Sequence, residues 1–365
     1  MRTADGMGTS AEDRNGTGGG RPASRPTSRD VARLAGVSHT AVSFVFNGRA
    51  EGNLSPATQE RIRQAAARLG YRPDPVARGL RRRRTAVIGL VTDEIASSPF
   101  AGRLLRGAME TAWADDHLVL TIDSGGDPAK EDAAVAELLD RRVDGIIYAA
   151  MSLRRVRVPE GLHRTHSVLA NCLPEDDSLP AVVPAERAGG RSAARLLLDQ
   201  GHRRLAVVGG LDDIASAERL RGFRDALRAE GITVPRDRVV RTGGEISGGY
   251  EGAIRLLAGT DPRERPTGVF CYNDRVAAGV LHAATRLGID VPADLSVVGY
   301  DDQEHMAAFL TPPLTSVALP HRAMGEVAAR LLLDAIGTGR TPPATTRRVA
   351  CPVVSRASVG PAPIR

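Results

Sequence analysis

Aromatic residues are scarce in this chain of 365 residues, at 3% Phe, Trp and Tyr together, and Lys130 is the only lysine among 49 basic residues. A core made without large rings must rely on Ala, Val, Leu and Gly, which suits helices packed closely on a parallel sheet. The arginine bias is one of genome composition rather than of mechanism. Only three cysteines occur, Cys172, Cys271 and Cys351. Their odd number, wide scatter and lack of C-x-x-C spacing exclude a disulfide framework and a zinc site. No apolar run reaches 18 residues, and residues 1–24 are rich in Gly, Ser, Thr and Arg without a hydrophobic stretch. The expectation is a cytoplasmic protein with a disordered tail at 1–25 and no membrane partner. Also missing are G-x-S-x-G, H-E-x-x-H and G-x-x-x-x-G-K-[ST]. Asp301 and Asp302 are sequence neighbours whose side chains cannot be assumed to converge as a catalytic pair, so neither an enzyme nor a cofactor or metal is expected.

What is present is charge of one sign at one end. Residues 1–84 hold 16 Arg and 7 acids, a net of +9; the remaining 281 residues hold 33 bases and 36 acids, a net of −3. A positive module on a mildly acidic body calls for a polyanion partner for the module alone. An arginine run such as Arg81 to Arg84 is ordinarily a solvated tail, but here it follows a helix-turn-helix pattern, and DNA is the expected partner.

That pattern begins at Thr27 or Ser28, where a first helix places Val31, Leu34 and Ala35 on one face and breaks at Gly36. Ser38 is placed to cap a second helix with Ala41, Val42, Val45 and Phe46 on one side and His39, Thr40, Ser43, Phe44 and Asn47 on the other. The polar side is shaped to enter a major groove. A third helix has Ser55 as cap and Pro56 at its first position, buries Ile62, Ala65, Ala66 and Leu69, and stops at Gly70.

From Thr85 onward short apolar runs alternate with helical segments: strands at 86–91, 118–122 and 145–148, with helices near 102–113 and 130–139. The alternation restarts with strands at 205–209, 238–242, 268–272 and 295–300, separated by helices near 217–230, 249–258 and 274–287. Two such units predict two doubly wound parallel sheets with a ligand cleft between them, beyond the carboxyl ends of the strands. Arg219, Asn273, Asp274, Asp301 and Asp302 fall at those ends, as groups able to match the hydroxyls of a sugar, the edges of a base, or an anion. The plain alternatives are a helix cap for Asp274, a surface ion pair for Arg219 and solvent for Asp302. A binding protein of the transport type would share this body, but it would need a secretion signal and would have no use for residues 27–84.

Asp30-Val31-Ala32-Arg33-Leu34-Ala35-Gly36-Val37-Ser38, Val42-Ser43, Asn47-Gly48, Gly70-Tyr71-Arg72-Pro73, Gly201-His202-Arg203-Arg204, Asn273-Asp274 and Val298-Gly299-Tyr300-Asp301-Asp302 together resemble the lactose-repressor (LacI) family over about residues 26–355. The resemblance implies an all-α headpiece at 26–72, a hinge helix or linker at 73–84 and an α/β, two-lobed, periplasmic-binding-protein-like body at 85–365. Its lobes would be about 85–184 with 317–345, and 185–312 with 346–358. It implies a homodimer on double-stranded DNA reading a palindromic operator, as repressor or activator, with repression the expected sense. His39 and Thr40 match base readers, and Ser38, Ser43, Asn47, Ser55 and Thr58 match phosphate contacts, with Thr27, Ser28, Arg29 and Phe44 added to the DNA-facing set. Asp74 would cap the hinge, Pro75 would occupy its first turn, and Leu80 matches a leucine that wedges into the minor groove. A small-molecule effector, expected to be a sugar, would be held by Arg219, Asn273 and Asp301, with Phe100 and Asn171 as weaker matches.

The chain also departs from the pattern. Phe44 stands where many members carry arginine; it can pack on a thymine methyl but cannot donate hydrogen bonds to guanine. Two extra residues lie in the Gly48–Asn53 loop. Pro184, Ala185 and Glu186 replace a polar or aromatic contact followed by Asp-Asn, and Leu319 replaces a common glutamine. The residues do not distinguish a sugar from a nucleobase or from no effector. No leucine heptad follows the strand around 349–354, so a dimer rather than a tethered tetramer is expected. If Leu80 is a wedge, Leu80→Ala should weaken binding to the specific operator far more than binding to random duplex; equal loss of both in a filter or mobility-shift titration would remove the wedge.

Overall fold

The computed structural model describes residues 26–71, 84–94 and 101–364. The chain divides into two compact units, Met1–Arg83 and Arg84–Arg365.

The first unit holds three helices, α1 (Ser28–Ala35), α2 (His39–Phe46) and α3 (Pro56–Leu69). Thr27 caps α1 in a reciprocal box: its hydroxyl accepts from the Asp30 N–H, and Asp30 Oδ2 accepts from the Thr27 N–H at 2.9 Å. A cap of this kind stabilises a helix by about 1 kcal/mol. The hydrogen bonds from Thr27 also hold the Asp30 carboxyl below its ordinary pKa. Gly36 ends α1 and Gly70 ends α3, both in the left-handed conformation at φ 62°. Val31, Ala32, Ala41, Val42, Ile62, Ala65 and Ala66 form the core, and Phe46 meets Tyr71 edge to face at 5.6 Å. Leu34, expected inside, is 42% exposed. Around the helix Ala32 and Ala35 lie to one side of Val31 and Leu34 to the other, and α2 and α3 both pack on the alanine side.

The second unit carries two six-stranded sheets. In the first lobe β1 (Val87–Thr92), α4 (Ala101–Ala114), β2 (Leu118–Asp123), α5 (Pro128–Asp140), β3 (Gly145–Val156), β4 (His166–Pro174) and β5 (Ala181–Pro184) follow in order. The second lobe continues with α6 (Glu186–Asp199), β6 (Leu205–Val208), α7 (Ile214–Ala229), β7 (Val239–Val240), α8 (Ile246–Leu257), β8 (Gly268–Cys271), α9 (Asp274–Arg286), β9 (Ser296–Asp301) and β10 (Thr315–Ala318). Then α10 (His321–Thr338) returns to the first lobe, followed by β11 (Thr346–Val349) and β12 (Val353–Val354). The strand orders are β11-β5-β4-β3-β1-β2, all parallel, and β12-β10-β9-β8-β6-β7, parallel except for β12.

The lobe boundaries differ from those expected. β10 belongs to the second sheet, and Thr346–Val349 pairs in parallel with Ala181–Pro184 in the first. The last crossing therefore falls at 350–352 rather than at 345. The segment read as one strand around 349–354 is two short strands, one in each sheet, separated at Cys351-Pro352, where proline supplies no ladder donor. All three cysteines are buried and free.

Small residues let the helices touch. A Cβ on Gly190 in α6 would stand 2.0 Å from the Arg219 carbonyl of α7, and one on Gly222 in α7 would stand 1.9 Å from the Arg187 carbonyl of α6. The same reciprocity joins Gly107 with Gly325 across α4 and α10, and Gly249 with Gly279 across α8 and α9. Gly190→Ala should therefore lower the unfolding free energy by about 1–3 kcal/mol through overpacking against backbone. Urea denaturation checks this, and an unchanged midpoint would show that α6 and α7 separate freely.

Candidate nucleic-acid interface and ligand cleft

Three capped helix starts carry most of the DNA-facing set in the first unit. Thr27 caps α1; Ser38 caps α2, accepting from the Ala41 N–H at 3.2 Å; Ser55 caps α3, accepting from the Thr58 N–H at 3.3 Å. Helix N-termini present unpaired N–H groups and a partial positive charge, which suits phosphate. Ser28 Oγ lies 2.8 Å from His39 Nε2, joining the start of α1 to the start of α2. Asn47 Nδ2 donates to Ser43 Oγ at 2.9 Å, so these two share one face of α2. Thr27, Arg29, Ser38, His39, Thr40 and Ser55 are exposed; Ser28, Ser43, Phe44, Asn47 and Thr58 are half-buried. The longer loop after α2 is tied internally, with Asn53 Nδ2 donating to the Arg49 carbonyl and Gln59 Nε2 to that of Leu54.

Leu80 and Arg81 to Arg83 lie outside the described residues. Arg84 is not a free phosphate partner: its guanidinium donates to the Ile336 carbonyl and, at 3.4 Å, to that of Gly337. These carbonyls close α10, where the helix dipole favours a cation.

In the second unit the ends of β8, β9, α6 and α7 converge on Arg219. Its Nε and Nη2 donate to the two carboxylate oxygens of Glu186, each at 2.9 Å, and its Nη1 donates to the Tyr272 carbonyl at 2.8 Å. Asp301 Oδ1 lies 3.5 Å from the same Nη1. The guanidinium lies over the Tyr300 ring at 3.7 Å and is 5.0 Å from the centre of the Tyr272 ring. Behind it Phe270 stacks on Phe223 at 5.0 Å and leans on Tyr300. Burial opposes the charge on Arg219, but the Glu186 and Asp301 carboxylates outweigh it and hold its pKa well above the ordinary value. Burial pushes the Asp301 carboxyl well above the usual carboxylate range, against the pull of Arg219.

Asp301 adopts φ 101°, a conformation that costs on the order of 1–3 kcal/mol in a residue with a side chain and persists where its surroundings hold it. Asp274 is buried, accepts from Ser316 Oγ and the Gln303 N–H at 2.6 Å each, and is pushed by burial to about 6. It is therefore a buried tie to the loop after β9. The cap of α9 is Asn273, which accepts from the Val276 N–H at 2.8 Å and donates to the Gly244 carbonyl at 2.9 Å. Asp302 does not simply face solvent; it pairs with Arg356 at 2.7 Å.

From the first lobe Asn171, in β4, takes φ 57° and donates to the Ala150 and Met151 carbonyls at 3.0 and 2.9 Å. It thereby holds the bulge where the β3–β4 register shifts. Phe100 lies outside the described residues. The structure thus brings Arg219 and Asp301 together, sets Asn273 beside them with its amide engaged, and leaves Asn171 in the other lobe. Among the described residues, a polar and an apolar contact bridge the lobes. Arg103 of α4 reaches Glu304 Oε2 at 3.2 Å and the Asp302 carbonyl at 3.3 Å. Leu153, Leu173 and Val183 pack against Ile214 and Ala215 at the start of α7. His321, at the second crossing between lobes, is buried and held near 4 by that burial, hence neutral at pH 7.

Sequence reasoning missed Glu186, Tyr272, Tyr300 and Arg103. Glu186 was visible only as a departure from a familiar pattern; nothing local shows that its carboxylate lands on a residue 33 positions later. Arg219→Met should lower the unfolding free energy by about 3–5 kcal/mol, because it strands buried carboxylates without a counter-charge. The double variant Glu186→Gln/Arg219→Met should recover part of that loss in chemical denaturation. Strictly additive losses would show that the two groups are not coupled.

Two family models match the chain, bacterial regulatory proteins of the lacI family over residues 27–74 and a periplasmic binding protein-like domain over residues 194–359. The HTH-type transcriptional repressor PurR of Vibrio atlanticus (strain LGP32) is 32% identical over 314 residues, covering 85% of this chain and 92% of the relative. The ribose operon repressor of Escherichia coli (strain K12) is 32% identical over 313 residues, 85% of this chain and 93% of the relative. Among solved structures, the lac repressor dimer bound to operator and the anti-inducer ONPF is 25% identical with a TM-score of 0.72, covering 92% of this chain and 99% of that one. Similarity of this extent, through headpiece and body alike, means that the chain belongs to the LacI family of bacterial regulatory proteins and is a DNA-binding transcriptional regulator.

Proposed function

We propose that the chain is a cytoplasmic repressor acting as a homodimer on a palindromic operator, with a neutral, hydroxyl-rich molecule in the interlobe cleft setting its affinity for DNA. One α2 would lie in the major groove of each half-site, with His39 and Thr40 on base edges. Phe44 would sit against an apolar base edge or a sugar, and the capped helix starts at Thr27, Ser38 and Ser55 on phosphates, with Ser28, Arg29, Ser43, Asn47 and Thr58 beside them. Relatives named as repressors support the sense of regulation and favour binding over catalysis. Among the described residues no helix is long and apolar enough to cross a membrane.

A second copy has a surface to meet. Leu118 and Leu120 on the outermost strand β2 are 56% and 39% exposed, and Met109 and Trp113 on the preceding helix are 47% and 72% exposed. Large apolar groups at a sheet edge mark an interface more often than bare surface.

One observation carries the effector reading, the occupation of Arg219 by Glu186 beside a buried Asp301. With Arg219 neutralised by both oxygens of Glu186, the cleft keeps the Asp301 carboxyl and no free buried cation among the described residues, which suits a neutral, hydroxyl-bearing ligand such as a sugar rather than an anion. Recovery of genomic fragments bound by the purified protein should yield a shared palindrome near genes for sugar handling. A panel of neutral sugars should then shift operator affinity by about ten-fold for the correct one. Asp301→Asn keeps a residue type that tolerates positive φ and should abolish that shift while leaving operator binding intact. A response to anions only, or one that survives this substitution, would sink the reading.

A further inference from the structure

A cavity of about 590 Å³ opens where the ends of β3, β4, β5 and β11 meet the first turns of α6 and α7. Its walls include none of Asn171, Arg219, Asn273 or Asp301; of the groups bonded to Arg219, only Glu186 lines it. The volume falls within the range of small-molecule sites, about 300–1,000 Å³.

Its lining is divided in character. Leu153, Leu173, Val183 and Ile214 supply an apolar wall that is already packed as one cluster. Around it stand four arginines and two glutamates. Most of these charges are compensated. Glu186 is held by Arg219, and Glu218 pairs with Arg221. Arg187 pairs with Asp225 at 2.7 Å, and Arg155 with Asp177 at 3.5 Å. That leaves Arg191, half-buried on α6, and Arg348, on β11 in register with Val183. Neither has a hydrogen bond or ion pair among the described residues. Arg191 feels the Asp225 carboxylate, which it shares with Arg187 and Arg228, and Arg348 is exposed at the rim. Two guanidinium groups without a hydrogen-bonded partner among the described residues, beside a partly enclosed apolar cavity, attract an anion, and their planar forks match a carboxylate.

We propose that this cavity, which lies between the lobes and shares Glu186 with the Arg219 cluster, is a second ligand site, distinct from the one at Arg219 and Asp301, for an organic acid with an apolar body. Arg191 and Arg348 hold the carboxylate, and the ring or chain lies against Leu153, Leu173 and Val183. The test is calorimetric titration of the full-length protein with 1-naphthoate and with the neutral 1-naphthamide. One saturable site per chain is expected for the acid, with binding at least about ten-fold weaker for the amide, a difference of 1.4 kcal/mol. Arg191→Gln/Arg348→Gln should weaken naphthoate by a similar factor, with each single variant showing part of the effect. Asp301→Asn, which tests the cleft, should leave naphthoate binding within about two-fold, well inside the 1.4 kcal/mol that ten-fold represents. Absence of saturable binding, equal affinity for acid and amide, an unchanged affinity in the double arginine variant, or loss in Asp301→Asn instead would each overturn the proposal.

Discussion

The near-contact of α6 and α7 governs the chemistry of the second lobe. Where the Gly190 and Gly222 backbones meet the opposing carbonyls, no side chain separates the helices. That approach lets the carboxylate of Glu186, on the first residue of α6, span to the guanidinium of Arg219 in α7 with both oxygens. The pair sits on a platform of rings, Tyr300 beneath it with Phe270 and Phe223 behind. In a chain with so few aromatics, this concentration matters: the rings supply a low-dielectric, cation-tolerant surface where a buried charge most needs one. Desolvation makes such a pair a poor source of net stability, but removing one member leaves the other stranded. The geometry is therefore strongly enforced, and it also fixes Tyr272 and Asp301, the first through its carbonyl and the second through charge.

Control of the lobes follows from what crosses between them. The chain passes from one sheet to the other after β5, after β10 and after β11. Beside these crossings, among the described residues, lie a polar bridge, Arg103 to Glu304 and the Asp302 carbonyl, and an apolar bridge from Leu153, Leu173 and Val183 to Ile214 and Ala215. The polar bridge starts from the loop that Asp274 anchors through Gln303, and that loop follows directly on Asp301. If a ligand is seated against Asp301, as proposed above, it lies directly before the segment that Arg103 holds across the lobes. It can shift their arrangement only by binding one arrangement more tightly than another, and the strained backbone at Asp301 is the kind of local feature through which such a preference is expressed.

Punctuation was the most legible part of the sequence. The helix starts at Ser38 and Ser55 and the stops at Gly36 and Gly70 follow from short-range backbone chemistry, and all four occur where they are expected. The alternation of strands and helices in the body was legible for the same reason, since periodicity is a property of neighbours. Contacts decided at long range were not. Leu34 has the spacing of a core residue, yet the position of two other helices turns it outward. The pairing of Thr346–Val349 with β5 depends on a strand more than 160 residues earlier, so the final crossing could not be placed from composition. The same holds for Arg219: its position after a strand marked it as a ligand group, but the partner that neutralises it stands 33 residues away, at a position that read only as unfamiliar.

Glu186 makes the difference between two neighbouring spaces. On one side it cancels Arg219, leaving the space near Asp301 without a free buried cation among the described residues. It also lines the outer cavity, where, being already paired, it does not neutralise Arg191 or Arg348. A neutral residue in its place would leave Arg219 available to an anionic ligand and would remove the tie between α6 and α7. One carboxylate on the first turn of one helix thus sets the charge that the Arg219 side presents, while its own charge is spent there rather than in the outer cavity.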